Sequence, residues 1–285
     1  MKLLLMIIVL SVSGCVSIQT PTPPPQNDIT KIEVAEDFPT KLPDGSAQFS
    51  HSHLFFVHAD QTSEFFASLV VPVPFVTDMV VDYVKDSAAE KYEKQMQPLR
   101  IYDIVEGELA THDDLQQAAN GDNKFGYTLY PIVFIEECYD DVYRLSLALQ
   151  LEKDDWIGRY YYHLPTTIQS EHIQAPSPAT LDTVAKELRV GAHELLEIIS
   201  RDIRGKLPKK GTSAKVGSLF IVGSKISGLV SPNVLAYSNA QIIDDKGSSL
   251  TIRIPGDPTG KAKSGGMAFG VHYFEKSQLH TLEMN

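Results

Sequence analysis

Cysteine is scarce in this sequence, since its 285 residues contain only Cys15 and Cys138. A framework of several disulfides, on which many small secreted domains depend, is therefore excluded. Cys138 lies in the segment Glu136–Asp141, in which every residue other than Cys138 and a tyrosine is acidic. Nearby negative charge disfavours the thiolate, which is the reactive form of cysteine. We therefore expect Cys138 to be a structural residue rather than a nucleophile.

The sequence also lacks the short motifs of several enzyme classes. It has no His-Glu-x-x-His, no Walker loop and no Gly-x-Gly-x-x-Gly, and neither Gly-x-Ser-x-Gly nor Ser-x-x-Lys occurs as a nucleophile elbow. No cofactor is predicted, and the absence of motifs favours a protein that is not an enzyme. Carboxylate pairs that hydrolyse glycosides come from separate elements and leave no local pattern, so that chemistry stays open.

Basic residues are outnumbered, with 25 Lys and Arg against 36 Asp and Glu, and the formal net charge is −11. Nucleic-acid binding depends on basic patches, so we expect no nucleic-acid partner. The same acidity is unsuited to binding anionic lipid head groups by charge. Attachment to a membrane would have to come from a lipid or an apolar segment.

The start of the chain carries the strongest signal in the sequence. Lys2 provides one positive charge, Leu3–Leu10 is an unbroken apolar run, and small residues follow at Ser11, Ser13 and Gly14. This order is typical of a secretory signal peptide. The apolar run is too short to cross a hydrocarbon core of about 30 Å, which needs roughly 20 helical residues.

The residues Val12-Ser13-Gly14-Cys15 resemble the lipobox of bacterial lipoprotein precursors. The resemblance implies that residues 1–14 are removed and that Cys15 carries three acyl chains of the palmitate type. Two or more such chains anchor a protein stably in a membrane. The resemblance also implies the outer membrane, facing the periplasm, because Val16 and Ser17 rather than aspartate follow the cysteine. An ordinary signal peptide that contains a cysteine, or a buried strand, is the alternative.

The composition divides the rest of the chain in two. Residues 15–45 include a polar, proline-rich stretch that predicts an extended tether behind the acylated cysteine. Residues 46–285 are predicted to form a globular α+β body, with a sub-boundary indicated near residues 206–212.

Three segments of the body predict an antiparallel β-meander, namely Tyr127–Ile135, Tyr143–Leu151 and Arg159–Pro165. The second segment alternates, which places its leucines inward and predicts a solvent-facing set of Arg144, Ser146, Ala148 and Gln150. Ser177 and Pro178 predict the start of a long amphipathic helix that packs on the meander, and Gly205 and Pro208 predict its end. Short β segments follow, so the C-terminal part is predicted to be β-rich.

Three stretches are candidates for binding. His51 and His53 would share one face of a predicted strand from Phe49 to Ala59 and offer half of a metal site, although no third ligand is fixed by spacing. Trp156, Tyr160 and Tyr162 offer an aromatic platform for a glycan or peptide, with core packing as the alternative. The apolar stretch Phe65–Val84 predicts a buried helix from near Phe75, or else an apolar contact surface.

Together these patterns predict a membrane-anchored envelope lipoprotein that binds or scaffolds other envelope components without catalysis. Its expected partners are the membrane, through lipid on Cys15, and other envelope proteins. A hydrolase acting on an envelope polymer and a small-ligand-binding lipoprotein are the alternatives.

Overall fold

The computed structural model describes residues 24, 31–37, 46–48, 52–57, 93–116, 126–137, 142–218, 235–254 and 270–284. These residues form a mixed α and β body in which strands predominate, with one sheet of eleven strands and a few helices. The prediction of a fold that contains both helices and strands is confirmed. No helix among these residues combines the length and apolar character that a membrane crossing requires.

The strands of the sheet are β1 (Ile32–Val34), β2 (Ser46–Gln48), β3 (Leu54–Val57), β4 (Tyr127–Glu137), β5 (Val142–Lys153), β6 (Trp156–Gln169), β7 (Thr212–Ser218), β8 (Leu235–Asp245), β9 (Ser249–Ile254), β10 (Gly270–Glu275) and β11 (Leu279–Met284). The helices are α1 (Ile101–Leu109), α2 (Asp113–Gln116) and α3 (Pro178–Ile203), with a 3-10 turn at Lys276–Gln278.

The strand order is β11-β7-β8-β9-β10-β6-β5-β4-β3-β2, and β1 also pairs with β4. The pairs β4–β5 and β5–β6 are antiparallel, whereas β1 and β3 both run parallel to β4. A parallel pair between β10 and β6 joins the strands that follow residue 212 to those that precede it. The strands before and after residue 212 therefore belong to one sheet.

Helix α3 begins at its N-cap, Ser177, whose hydroxyl accepts a hydrogen bond from the Thr180 N–H at 3.1 Å, with Pro178 at the first helical position. The chain leaves the helix through Gly205, whose φ of +66° favours glycine. Gly191 lies against the ring of Tyr162 in β6, where an added Cβ would come within 2.5 Å of Cδ1. The missing side chain thus lets the helix approach the sheet closely.

The two faces of strand β5 correct one prediction from the sequence. Its leucines lie in the core shared with α3, as the alternation predicts. The opposite set, which was predicted to face solvent, is buried as well. Two of its polar members have partners on β6, since Arg159 Nε donates to Gln150 Oε1 at 2.7 Å and Ser146 Oγ lies 3.0 Å from His163 Nδ1. A buried polar group is tolerated when it is hydrogen-bonded in this way.

Some predicted segments differ in extent or lie outside the described residues. Within the strand predicted over 49–59, the described residues are 52–57, and of these Leu54–Val57 form β3. Strand β6 continues through Pro165 to Gln169. The leader over residues 1–14, Cys15, the Phe65–Val84 stretch and Cys138 lie outside the described part of the chain, as does most of the tether.

Candidate functional site

Of the two histidines proposed as half of a metal site, His51 lies outside the described residues and His53 is half-buried. Nδ1 of His53 donates to the carbonyl of Pro131 at 2.9 Å, and the imidazole lies 6.1 Å from the Tyr102 ring, centroid to centroid. Burial lowers the pKa of His53. The hydrogen bond fixes the imidazole against strand β4, which is a structural role.

The aromatic residues proposed as a binding platform lie mainly in the core. Tyr160 and Tyr162 are buried between the sheet and α3, and Trp156 is half-buried, edge-on to Tyr127 at a centroid distance of 5.9 Å. Tyr162 stacks on Tyr273 of β10 at 5.5 Å. A glycan or peptide could not reach the two buried rings without unfolding this layer, so we do not retain Tyr160 and Tyr162 as binding residues.

Tyr160 instead belongs to a buried ionic network that the sequence did not reveal. Its hydroxyl donates to Asp202 Oδ2 at 2.9 Å, and the guanidinium of Arg253 contacts Asp202 Oδ1 at 3.1 Å. Asp202 lies near the end of α3 and Arg253 lies on β9. Burial, followed by the negative charge of Asp202, raises the pKa of Tyr160 well above its ordinary value. The network links helix to sheet and has the character of a structural contact.

A second polar group lies on the opposite face of the sheet, where three residues from β5, β6 and β10 form a hydrogen-bonded series. Ser146 Oγ lies 3.0 Å from His163 Nδ1, and His163 Nε2 lies 3.0 Å from His272 Nδ1. The His163 ring stacks on Phe274 at 4.3 Å, and His272 stacks on Tyr161 at 4.5 Å. The parallel pairing of β10 with β6 places these side chains together.

A serine hydroxyl hydrogen-bonded to an imidazole is the contact that activates serine nucleophiles. Here, however, Ser146, His163 and His272 are all buried, and aromatic rings flank both imidazoles. A reacting substrate needs access to the nucleophile, which this packing does not provide. The arrangement therefore satisfies buried polar groups, as the core of a folded protein requires.

Acid should destabilise the protein through His163. Burial, followed by the neighbouring His272, lowers the pKa of His163 well below 6.5. Below about pH 6.5 the unfolded chain then binds more protons than the folded one, so the free energy of unfolding falls as the pH drops through this value. Urea denaturation at a series of pH values should show this fall. It should be smaller in His163→Gln and unchanged in the control His280→Gln, whose histidine is exposed.

A third group of polar side chains lies at the surface where α1, the turn before α2, and α3 meet. One ring nitrogen each of His112 and His193 and one carboxylate oxygen of Glu197 all lie within 4.8 Å of one another. His112 is buried, whereas His193 and Glu197 are exposed. Within the described ranges, these are the residues with the composition and spacing of a metal site.

Two of these three residues form a pattern that is visible in the sequence. His193 and Glu197 stand four residues apart on a predicted helix, which places both on one face. The third member, His112, comes from a distant turn, and no local spacing connects it to the helix. The pattern over residues 193–197 alone therefore predicts only a polar helix face.

Comparison of the chain with protein-family models, with curated proteins and with solved structures gives no match.

Proposed function

We propose that this protein is a membrane-anchored lipoprotein of the bacterial cell envelope that binds or scaffolds other envelope components and does not catalyse a reaction. The observation that carries the proposal is the leader from Lys2 to Cys15, with its apolar run and lipobox. In this proposal Cys15 holds the protein in the outer membrane facing the periplasm, and the proline-rich segment lifts the body from the lipid surface.

The body would act as a rigid platform in this role. We interpret β4, β5 and β6 as an antiparallel meander packed by the amphipathic helix α3, with the β-rich C-terminal part extending the same sheet. The buried Tyr160–Asp202–Arg253 network supports this interpretation because it links α3 to β9. A rigid sheet presents its edge strands in a constant geometry.

Strand β11 is the best-supported contact surface for a protein partner. It stands at one end of the strand order, and among the described strands it pairs only with β7. Two of its residues are apolar and exposed, Leu282 at 40% and Met284 at 61%. Edge strands with unpaired backbone groups are templates for strand addition by another chain. We therefore propose that an envelope protein adds a strand along β11.

Introducing charge on β11 should reduce partner recovery. In the double variant Leu282→Lys/Met284→Lys, lysines on the edge disfavour strand addition, as they do in natural edge strands. We expect recovery of crosslinked envelope proteins, measured by quantitative mass spectrometry of affinity-purified protein, to fall about tenfold, which corresponds to roughly 1.4 kcal/mol of binding free energy.

The matched control is Val190→Lys, because Val190 is an exposed apolar residue (54%) that lies on α3 rather than on the sheet edge. It should recover the same proteins as the wild type. Equal recovery by the β11 double variant would remove β11 as the contact surface. A wild-type protein that recovers nothing above background would count against the binding role altogether.

A hydrolase that acts on an envelope polymer is the second candidate, and the contact between Ser146 and His163 is the observation that favours it. The burial of both residues weighs against this function, since a polymer is too large to enter a closed core. The non-catalytic role therefore has the stronger support.

A further inference from the structure

We propose that His112, His193 and Glu197 bind a divalent transition-metal ion, with zinc as the best-fitting metal. We call these three residues the α1–α3 site, since they lie where helix α3 meets the turn that follows α1. This inference is independent of the proposed envelope role and rests on the geometry and charge of the described side chains alone.

The backbone holds His112 in place. His112 N–H donates to the carbonyl of Leu109 at 3.0 Å, and its own carbonyl accepts from Leu115 N–H at 2.9 Å. Asp114, two residues further on, forms an ion pair with Arg204 at 2.9 Å. The turn that carries His112 is therefore fixed to the end of α3, and a ligand on a fixed turn requires little reorganisation on binding.

The imidazole of His112 is buried but poorly satisfied. The side chain is only 4% exposed, and its Nδ1 lies 3.6 Å from Glu197 Oε1, which is longer than a hydrogen bond. Its Nε2 has no hydrogen-bond partner within the described part of the chain. Buried polar side chains normally have partners, and each exception calls for an explanation such as an ion. The 3.6 Å separation places Nδ1, rather than Nε2, toward Glu197, so a metal between the two residues would supply a partner for Nδ1.

The charges around the site suit a divalent cation. Glu108 on α1 lies near His193, with 3.9 Å between its Oε2 and His193 Nδ1, so two carboxylates surround two imidazoles. With both imidazoles neutral, the carboxylates contribute a formal charge of −2, which one divalent ion neutralises. Metal-ligating histidines usually contact a carboxylate that orients the ring, and Glu108 is placed for this role toward His193.

The donor set selects among metals. Two imidazole nitrogens and one carboxylate oxygen match zinc and other first-row transition metals, whereas magnesium and calcium prefer oxygen ligands. The separations within the site, up to 4.8 Å, are wider than a bound ion requires. His193 and Glu197 are exposed and can rotate toward a metal, with bonds of about 2.0–2.2 Å to nitrogen and oxygen. Three protein ligands leave a fourth position for water.

Zinc binding to the full-length protein in detergent tests the proposal. After removal of metals with a chelator, we expect titration with ZnCl2 to show one bound ion per chain and a raised thermal midpoint, while MgCl2 shows neither. Cobalt(II) in place of zinc should give the visible absorption bands of a four-coordinate site. Removing a residue that orients a metal ligand weakens metal binding by about 10–100-fold. We therefore expect the loss of a ligand itself, in His193→Gln or in Glu197→Gln, to weaken zinc binding by at least about 100-fold.

Both substituted residues are exposed, so these variants should fold, which circular dichroism in the absence of metal verifies. The matched control is His172→Gln. His172 precedes helix α3 and is not one of the three site residues, and it forms an exposed pair with Glu171 in which Nε2 and Oε1 are 3.6 Å apart. It should bind zinc as the wild type does. The proposal is overturned if the wild type binds no stoichiometric zinc, if both site variants retain full affinity, or if the control loses as much affinity as they do.

Discussion

Cys15→Ala should abolish lipid attachment and release the protein from the outer membrane. In the proposed anchor the thiol of Cys15 is the attachment point for acyl chains, and each methylene buried in lipid contributes about 0.8 kcal/mol. The net charge of −11 provides no electrostatic attraction to anionic lipid that could replace it. Labelling of cells with radioactive palmitate, followed by separation of membranes, should show label and outer-membrane association in the wild type and neither in the variant.

The chain provides its own control, because its one other cysteine is Cys138. Cys138→Ala should incorporate palmitate and reach the outer membrane as the wild type does. Label that persists in Cys15→Ala would show that the lipid is attached elsewhere. Label that disappears in Cys138→Ala but not in Cys15→Ala would reverse the assignment of the two cysteines.

Asp202→Asn should produce a large loss of stability. The change removes the charge that neutralises Arg253, although the shape of the side chain is preserved. Breaking a buried ion pair by removing one partner costs about 3–5 kcal/mol, because the other charge stays buried. Tyr160 would also exchange a charged acceptor for a neutral one. Urea denaturation of the purified protein measures the change in the free energy of unfolding.

Asp244→Asn is the matched control for this loss. Asp244 pairs with Arg201 at 2.9 Å, but both side chains are partly exposed. Such pairs contribute about 0–1 kcal/mol, so the control should unfold close to the wild-type midpoint. Equal effects of the two substitutions would mean that the Asp202–Arg253 pair does not link α3 to the sheet in the way that the structure indicates.

Some elements of the body could be predicted from local patterns, because these patterns report the burial of neighbouring residues, whereas α1, β1 and β2 were not predicted. Ser177 and Pro178 identify the start of α3, and the alternating leucines of β5 identify a strand. The burial of Gln150 could not be predicted in this way. Gln150 can be buried because it accepts a hydrogen bond from Arg159 on the neighbouring strand β6. The sequence of β5 alone does not show this partner.

Contacts between residues distant in the chain set the rest of the architecture. The parallel pairing of β10 with β6 brings His272 to His163. The sequence around either histidine does not predict this contact with the other. The α1–α3 site shows the same limit, since the helix pair His193 and Glu197 is visible in the sequence but His112 is not. Tyr160 and Tyr162 were predicted as part of a platform because the sequence could not show which face of β6 the helix α3 covers.

The proposed anchoring of this protein through Cys15 is tested most directly by the mass of its mature N-terminus. Mass spectrometry of the protein isolated from bacterial membranes should find no peptide from residues 1–14, and it should find an N-terminal peptide that begins at Cys15 and carries three acyl chains. An N-terminal peptide that contains an unmodified Cys15, whether or not the leader has been removed, would contradict the proposal.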